Sequence, residues 1–353
     1  AYIFHGQEGI GKEAHAIEFF ALINCQYQLN NLSACRKCNS CIKLLSLQHE
    51  LLNIILPLPR NKTINKNDSA LKTLNEKQIQ NLTNEFKIKG SNPYYKIKLD
   101  KANTILINSI KEIKNNIQLS IPNNKFRLHL ILDAEKLCFP KAESANALLK
   151  ILEEPAENNF FILIVSDISK ILDTIKSRST SIFFSPIEYE EHYKYLIDKK
   201  VDIKNAEIIS KLSFGNISHS VKIANDFDNK MLKLHQIIIA LFNDDLIKWK
   251  KEFLSIKEKN EIIEYCNLLL LLLRDMFNYK LTNDVNLIIF NNLKELIMKM
   301  TKHDFINIDE CSKIINNTIN NINLNGYIQL MITGLFFELN YLINNKELSI
   351  KQY

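Results

Sequence analysis

The sequence runs to 353 residues, which at roughly 150 residues per domain means two or three domains and length enough to bury a core without disulfides or metals. Hydrophobic residues make up 46% and charged residues 24%, which excludes an intrinsically disordered, collagen-like or low-complexity chain. The 45 Lys+Arg against 39 Asp+Glu leave a formal charge of +6, which permits contact with nucleic acid or phosphate without demanding it. The strongest membrane candidate, Cys266–Leu273, is eight residues long and closes at Arg274 and Asp275, too short for a span. Seven cysteines, four of them clustered, without a secretory signal point to metal or free thiols in a reducing, cytoplasmic setting rather than to a disulfide framework. The chain opens without Met inside what reads as a strand, so a missing N-terminal segment before Ala1 is expected.

The first half alternates apolar runs with helical patterns. Strands are predicted at Tyr2-Ile3-Phe4, Leu51–Leu56, Leu128–Leu132, Phe160–Val165 and Ser181–Phe184, and helices over Gly11–Asn24, Ile105–Ile117, Ala142–Glu154 and Ile168–Lys176. The strand runs are continuous rather than alternating, which fits a parallel α/β sheet covered on both faces. Arg60–Ser69 reads as a flexible loop, and Asn92-Pro93-Tyr94-Tyr95 as a turn that caps a sheet edge or touches a partner. After Pro186 two or three short helices are predicted to about Phe227, with a break at Gly215-Asn216. Helices then follow over Met231–Leu254, Glu261–Tyr279, Val285–Met300, Phe305–Ile322 and Tyr327–Ile343, each with apolar residues at three-and-four spacing. The expected organisation is an α/β domain over 1–186, a helical lid over 187–227 and a helical bundle over 228–353.

Four motifs could carry chemistry. Gly6-Gln7-Glu8-Gly9-Ile10-Gly11-Lys12 follows a strand and opens a helix, the context of a phosphate-binding loop, where glycines let backbone N–H groups turn inward and Lys supplies a cation. The next position, a Mg²⁺-ligating Ser or Thr in such loops, is Glu13, whose charge opposes a polyphosphate. Asp133 ends an apolar strand where such ATPases keep a Mg²⁺-side carboxylate, but Ala134 stands where a Glu would activate water. Glu135, one residue on, would point to the opposite face if the strand continued. Gly6, Gly9, Gly11, Lys12 and Asp133 thus form a degenerate nucleotide site, where ATP or ADP binding is doubtful and hydrolysis is not expected.

Arg178, in Ser177-Arg178-Ser179 on a turn between helix and strand, suits an arginine finger acting on a neighbouring subunit's γ-phosphate; the alternative is an ordinary solvated arginine. Cys25, Cys35, Cys38 and Cys41 form a C-x9-C-x2-C-x2-C array. On a straight helix the last three would spread along about 9 Å of axis, whereas zinc needs its thiolates about 2.3 Å away, so the backbone must turn. Structural Zn²⁺ is the reading, with a metal-free thiol cluster as the alternative. Cys138, Cys266 and Cys311 read as small buried hydrophobes. The eight single histidines are assigned no catalysis.

The order of these motifs, with Asn146-Ala-Leu-Leu-Lys-Ile-Leu-Glu-Glu-Pro155 and Ser177-Arg178, resembles the clamp-loader subunits of bacterial DNA polymerase III, on the delta prime rather than the tau/gamma branch. The resemblance covers residues 1 to about 227; beyond Met231 only architecture supports it. It implies an AAA+ fold with a lid and a helical collar, and assembly with tau/gamma and delta subunits into a ring that places the sliding clamp on primed DNA. The chain would then be a non-hydrolysing member of a nucleotidyltransferase holoenzyme, with neither polymerase nor ATPase activity of its own. The resemblance also implies Arg178 as the finger offered in trans, the four cysteines as zinc ligands, and a second sensor near Gly215, where Asn216-Ile217-Ser218-His219 lacks the usual Arg. An active tau/gamma-type ATPase and a zinc-stabilised nucleic-acid-binding scaffold are the competing readings.

Overall fold

The computed structural model describes residues 1–27, 33–62, 64–65, 68–301 and 307–344. The described chain divides into two compact units: Ala1–Glu188 with Phe214–His219, and Tyr189–Ser213 with the residues from Ser220 onward.

In chain order the first unit contains β1 (Tyr2–His5), α1 (Lys12–Asn24), α2 (Asn39–Leu45), β2 (Leu52–Ile55), α3 (Glu76–Ser91), α4 (Ile107–Ile117), β3 (Arg127–Ile131), α5 (Glu143–Glu153), β4 (Asn159–Val165), α6 (Asp173–Lys176) and β5 (Thr180–Phe183). Its strands form one five-stranded sheet in the order β2-β3-β4-β1-β5. Every pairing is parallel, with Ile3 beside Leu163 and Leu130 beside Ile162. Alternate residues feed two apolar layers: Phe4, Leu128, Leu130, Ile162 and Ile164 lie with Phe20 of α1, while Ile3, Ile131, Phe161, Leu163 and Val165 lie with Leu148 of α5. Burial on both faces explains why these strands read as unbroken hydrophobic runs. β1 lies next to the sheet's centre with later strands on both sides, so the loop leaving its C-terminal end opens at the switch point of the strand order, where α/β sheets bind ligands.

The second unit holds α7 (Tyr189–Asp198) and α8 (Ile203–Leu212). It then takes in all but the first turn of α9 (Ile217–Asn225), followed by α10 (Phe227–Phe242), α11 (Leu246–Leu254), α12 (Lys259–Thr282), α13 (Lys294–Met300), α14 (Ile308–Asn323) and α15 (Ile328–Asn344). Its core gathers Trp249, Phe253, Phe290 and Phe336 with aliphatic residues of α8, α10, α12, α14 and α15. Trp249 is fully buried and its indole N–H donates to Ile332 O at 2.9 Å, the partner a buried Trp requires. No helix of the described residues is long and apolar enough to cross a membrane.

Several sequence expectations need correction. The helix predicted over Ile168–Lys176 is a single turn at Ile168–Lys170 followed by α6, because Leu172 is extended with ψ 138°. The helix predicted over Met231–Leu254 is α10 and α11, separated where Asp244 takes φ 57° and Asp245 caps Lys248 N at 2.9 Å. Val285–Met300 is two tight turns and then α13. The expected start of the next helix at Phe305 lies outside the described residues, and α14 opens at Ile308. Helix α3 was not predicted at all. It is mostly polar, burying only Leu82 and Lys89, and its start is fixed by a reciprocal cap in which Asn75 Oδ1 accepts from Gln78 N and Gln78 Oε1 accepts from Asn75 N.

Candidate functional site

The phosphate-type loop is built as its glycines predict. Gly6, Gly9 and Gly11 hold φ of 139°, 77° and 97°, in the region side chains disfavour. A Cβ on Gly6 would stand 2.4 Å from Phe184 O and one on Gly9 2.0 Å from Asn216 Oδ1. The loop passes directly into α1, so the positive end of the helix lies at its base.

Its charges, however, are already matched. Lys12 Nζ folds back to donate to the carbonyls of Gly6 at 2.5 Å and Gln7 at 2.6 Å, and burial lowers its pKa. Glu13 is ion-paired with Lys89 near the end of α3. Lys89 is 3% exposed and also donates to Pro93 O at 2.8 Å and Tyr95 O at 2.7 Å. Burial lowers its pKa, against the pull of Glu13. Asp133 meets Lys96 at 2.9 Å through Oδ1 and Lys136 at 3.4 Å through Oδ2. Lys96 also reaches Glu8 Oε1 at 2.6 Å. Burial works against the charge on Lys96, but Asp133 and Glu8 outweigh it and raise its pKa.

These groups leave a cavity of about 40 Å³ at the loop, against the roughly 300 Å³ of the smallest common ligand sites. Lys96 and Asp133 also border a separate hollow of about 470 Å³ beside Leu56 and Leu132, beyond the ends of β2 and β3. The expected role of Asn92–Tyr95 at a sheet edge gives way to another: Pro93 and Tyr94 line the phosphate-loop cavity. Asn216, at the start of α9, donates through Nδ2 to Glu8 O at 2.9 Å, while Ser218 N donates to Gly9 O at 3.3 Å. An amide bound to the loop backbone thus stands where the resemblance implied a sensor.

β3 stops at Ile131, Asp133 adopts φ 47°, and a tight helical turn begins at buried Ala134. The strand does not continue, so Glu135 is not carried to the opposite face. Its carboxylate comes near enough to influence Lys12, and burial raises its pKa. The methyl group of Ala134 supplies no base.

Arg178 lies at the turn between α6 and β5. Nη2 meets Glu153 Oε1 of α5 at 3.0 Å and Nη1 donates to Thr174 O at 3.1 Å, with 37% of the side chain exposed. It is accessible, and held in direction from two sides.

At the other end of α1 the ligand atoms of Cys25, Cys35, Cys38 and Cys41 all lie within 4.8 Å of one another. Zinc–sulfur bonds of about 2.3 Å in a tetrahedron put sulfurs roughly 3.8 Å apart, so the set fits one Zn²⁺. Arg36 takes φ 56° and supplies the turn that the spacing required. Backbone N–H groups point at the sulfurs: Cys35 N to Cys25 Sγ at 3.2 Å, and Lys37 N and Cys38 N to Cys35 Sγ at 3.5 and 3.3 Å. The Lys37 N–H leads in pushing the Cys35 thiol down to about 6, toward the thiolate a metal needs. With four protein ligands such a site is closed and structural. Helix α2, which carries Cys41, packs tightly on α3: a Cβ on Gly90 would stand 2.5 Å from Leu45 O.

Lys89 and Lys96, which do most to define the pocket, were not singled out by the sequence. The Asn75–Gln78 cap followed by Ile79, Leu82 and Phe86 at three-and-four spacing was the available signal for the helix that carries Lys89.

The fold and the loop define an α/β protein with the parallel sheet and glycine loop of the phosphate-loop class. A family model described as DNA polymerase III, delta subunit, matches residues 1–188, and the chain belongs to that family. It is 24% identical to DNA polymerase III subunit delta' of Bacillus subtilis over 94% of this chain and 90% of that one. To DNA polymerase III subunit gamma of Buchnera aphidicola subsp. Schizaphis graminum it is 26% identical over 66% of the chain, spanning about half of that relative (48%). Among solved structures, a gamma subunit-related protein of Thermotoga maritima aligns at a TM-score of 0.36 and 17% identity, covering 69% of this chain and 82% of that one.

Proposed function

We propose that this chain is a delta prime-type subunit of the bacterial DNA polymerase III clamp loader, one that does not hydrolyse ATP and works within a cytoplasmic ring. Family membership over the α/β unit and similarity along nearly the whole length of a delta' relative support the assembly role. The non-hydrolysing character rests on one observation: Glu13 and Asp133, at the two positions that hold Mg²⁺ in an active phosphate-loop ATPase, are paired with Lys89 and Lys96.

In this reading the ring partners are tau/gamma and delta subunits, and the sliding clamp and primed DNA are met through the complex. Arg178, exposed at the edge of the α/β unit, is offered to a neighbouring subunit's γ-phosphate. Its guanidinium presents several N–H donors in a plane, enough to keep the Thr174 contact while meeting phosphate. Cys25, Cys35, Cys38 and Cys41 hold structural Zn²⁺, and the helices from α10 onward form the collar.

The purified chain should show no ATP turnover, whereas a tau/gamma-type motor would hydrolyse ATP unaided. In the reconstituted loader Arg178→Ala should leave assembly intact and lower turnover by about 10-fold or more at the site it serves; unchanged turnover would remove the finger role. Tight, steeply salt-dependent DNA binding by the isolated chain would favour the scaffold reading instead.

A further inference from the structure

In a phosphate-loop ATPase a dication sits between the loop's hydroxyl, the strand-end Asp and the β- and γ-phosphates. Here both protein positions face ammonium groups. Lys89 meets Glu13 and is buried to 3% exposure, while Lys96 bridges Asp133 at 2.9 Å and Glu8 at 2.6 Å. Among the residues that line the cavity at the loop, three ammonium groups, of Lys12, Lys89 and Lys96, stand against three carboxylates, of Glu8, Glu13 and Asp133. The pocket is therefore neutral without any ligand. Both lysines come from one stretch of chain: Lys89 donates to the carbonyls of Pro93 and Tyr95, and Lys96 follows directly. That stretch is anchored by the close approach of Gly90 to Leu45 O, so the ammonium groups are held in place rather than borrowed from the surface.

We infer that Lys89 and Lys96 are built-in replacements for the divalent cation: they keep the loop formed with its pocket shut, and so exclude Mg²⁺ and nucleotide. The inference rests on the non-hydrolysing reading above and gives it a physical cause. A magnesium ion entering here would meet two fixed positive charges, and a nucleotide would find Lys12 already bonded and about 40 Å³ of room. Lys96 and Asp133, with Glu8 and Glu13, line both that space and the neighbouring hollow of about 470 Å³, so losing the Lys96 ammonium should widen the room at the loop.

A reversion tests this. Glu13→Thr combined with Lys89→Met and Lys96→Met restores a hydroxyl, removes both ammonium groups and frees Asp133 Oδ1, while Oδ2 keeps its longer pair with Lys136. Wild type, Glu13→Thr alone and the triple variant are titrated as full chains with Mg·ADP and with Mn²⁺ alone by calorimetry, with folding followed by circular dichroism. Wild type and Glu13→Thr should take up neither probe, and the triple variant should bind Mg·ADP at least about tenfold more tightly than wild type. A folded triple variant with no gain, an equal gain from Glu13→Thr alone, or wild-type binding equal to the triple variant's would overturn the inference. If the triple variant does not fold, Lys96→Met alone decides: Mn²⁺ should raise its unfolding temperature and leave that of wild type unchanged, and absence of that shift overturns the inference. Nucleotide binding by wild type without turnover would sink the cation replacement yet leave the non-hydrolysing role standing; turnover by wild type would remove that role itself.

Discussion

The two ends of α1 have settled their charges in opposite ways. At its C-terminal end four sulfurs converge with backbone N–H groups aimed at them. At its N-terminal end the two side chains at the metal-side positions are each met by an ammonium group. One site has the ligand set to take an ion from solution, whereas at the other the chain itself supplies the positive charge. The lesson is that a motif shows where an ion could bind, while the partners of its side chains decide whether one does.

The largest effect should come from the four-cysteine cluster. Zinc removal by a strong chelator, or Cys38→Ser, should lower stability by on the order of 5 kcal/mol or more, since metal binding to such a set is part of the folding free energy. Thermal unfolding and zinc content measured together check it; a chain that unfolds identically with and without chelator would break the comparison.

Next comes Lys89→Ala, which strands Glu13 in a poorly solvated place and should cost about 3–5 kcal/mol, whereas the more exposed Lys96→Ala should cost about 1–2 kcal/mol. Denaturant titration measures both. Equal costs would mean that burial does not rank the two lysines.

A buried carboxylate held by backbone N–H groups sharpens the point. Asp275 on α12 accepts from Ile289 N at 2.7 Å and Phe290 N at 2.9 Å through Oδ2, while Oδ1 has no hydrogen-bond partner among the described residues. Burial raises its pKa to about 6 from the ordinary 3.8. The folded chain then keeps a proton that the unfolded chain releases, so this contribution to stability is full below about pH 4, falls as pH rises through about 6 and is flat above. The change is at most about 3 kcal/mol. Asp275→Asn should flatten that part of the unfolding profile; an unchanged slope would mean that the proton sits elsewhere.

The smallest effect on stability belongs to Arg178→Ala. Its pair with Glu153 is half-exposed, so the loss should stay within about 1 kcal/mol, measured by the same denaturant titration. A larger loss would make Arg178 a structural residue of the α/β unit.

Much of this was legible in the sequence because it is local. Gly6 to Lys12 names its own turn, the unbroken runs at Leu128–Leu132 and Phe160–Val165 name buried strands, and the cysteine spacing names a knuckle. What stayed hidden depends on meetings between distant residues. Glu13 reads as a lost hydroxyl until α3 brings Lys89 to it across 76 positions, and Asp133 reads as a free metal-side carboxylate until Lys96 arrives from a segment with no regular structure. Helix α3 escaped because its face toward the core is narrow, and periodicity registers only what is buried. The long pattern over Met231–Leu254 concealed a break because Asn243–Asp245 interrupts the chain without Gly or Pro.

Gly90 has a consequence of a mechanical kind. Where α2 and α3 touch, no side chain stands between their backbones, since a single added methyl group would lie 2.5 Å from Leu45 O. A side chain can change rotamer and absorb a displacement, but main chain against main chain is a stiff joint. A shift of α2 should therefore press directly on the turn of α3 that carries Lys89, so the thiol cluster and the loop pocket rest on one stiff support.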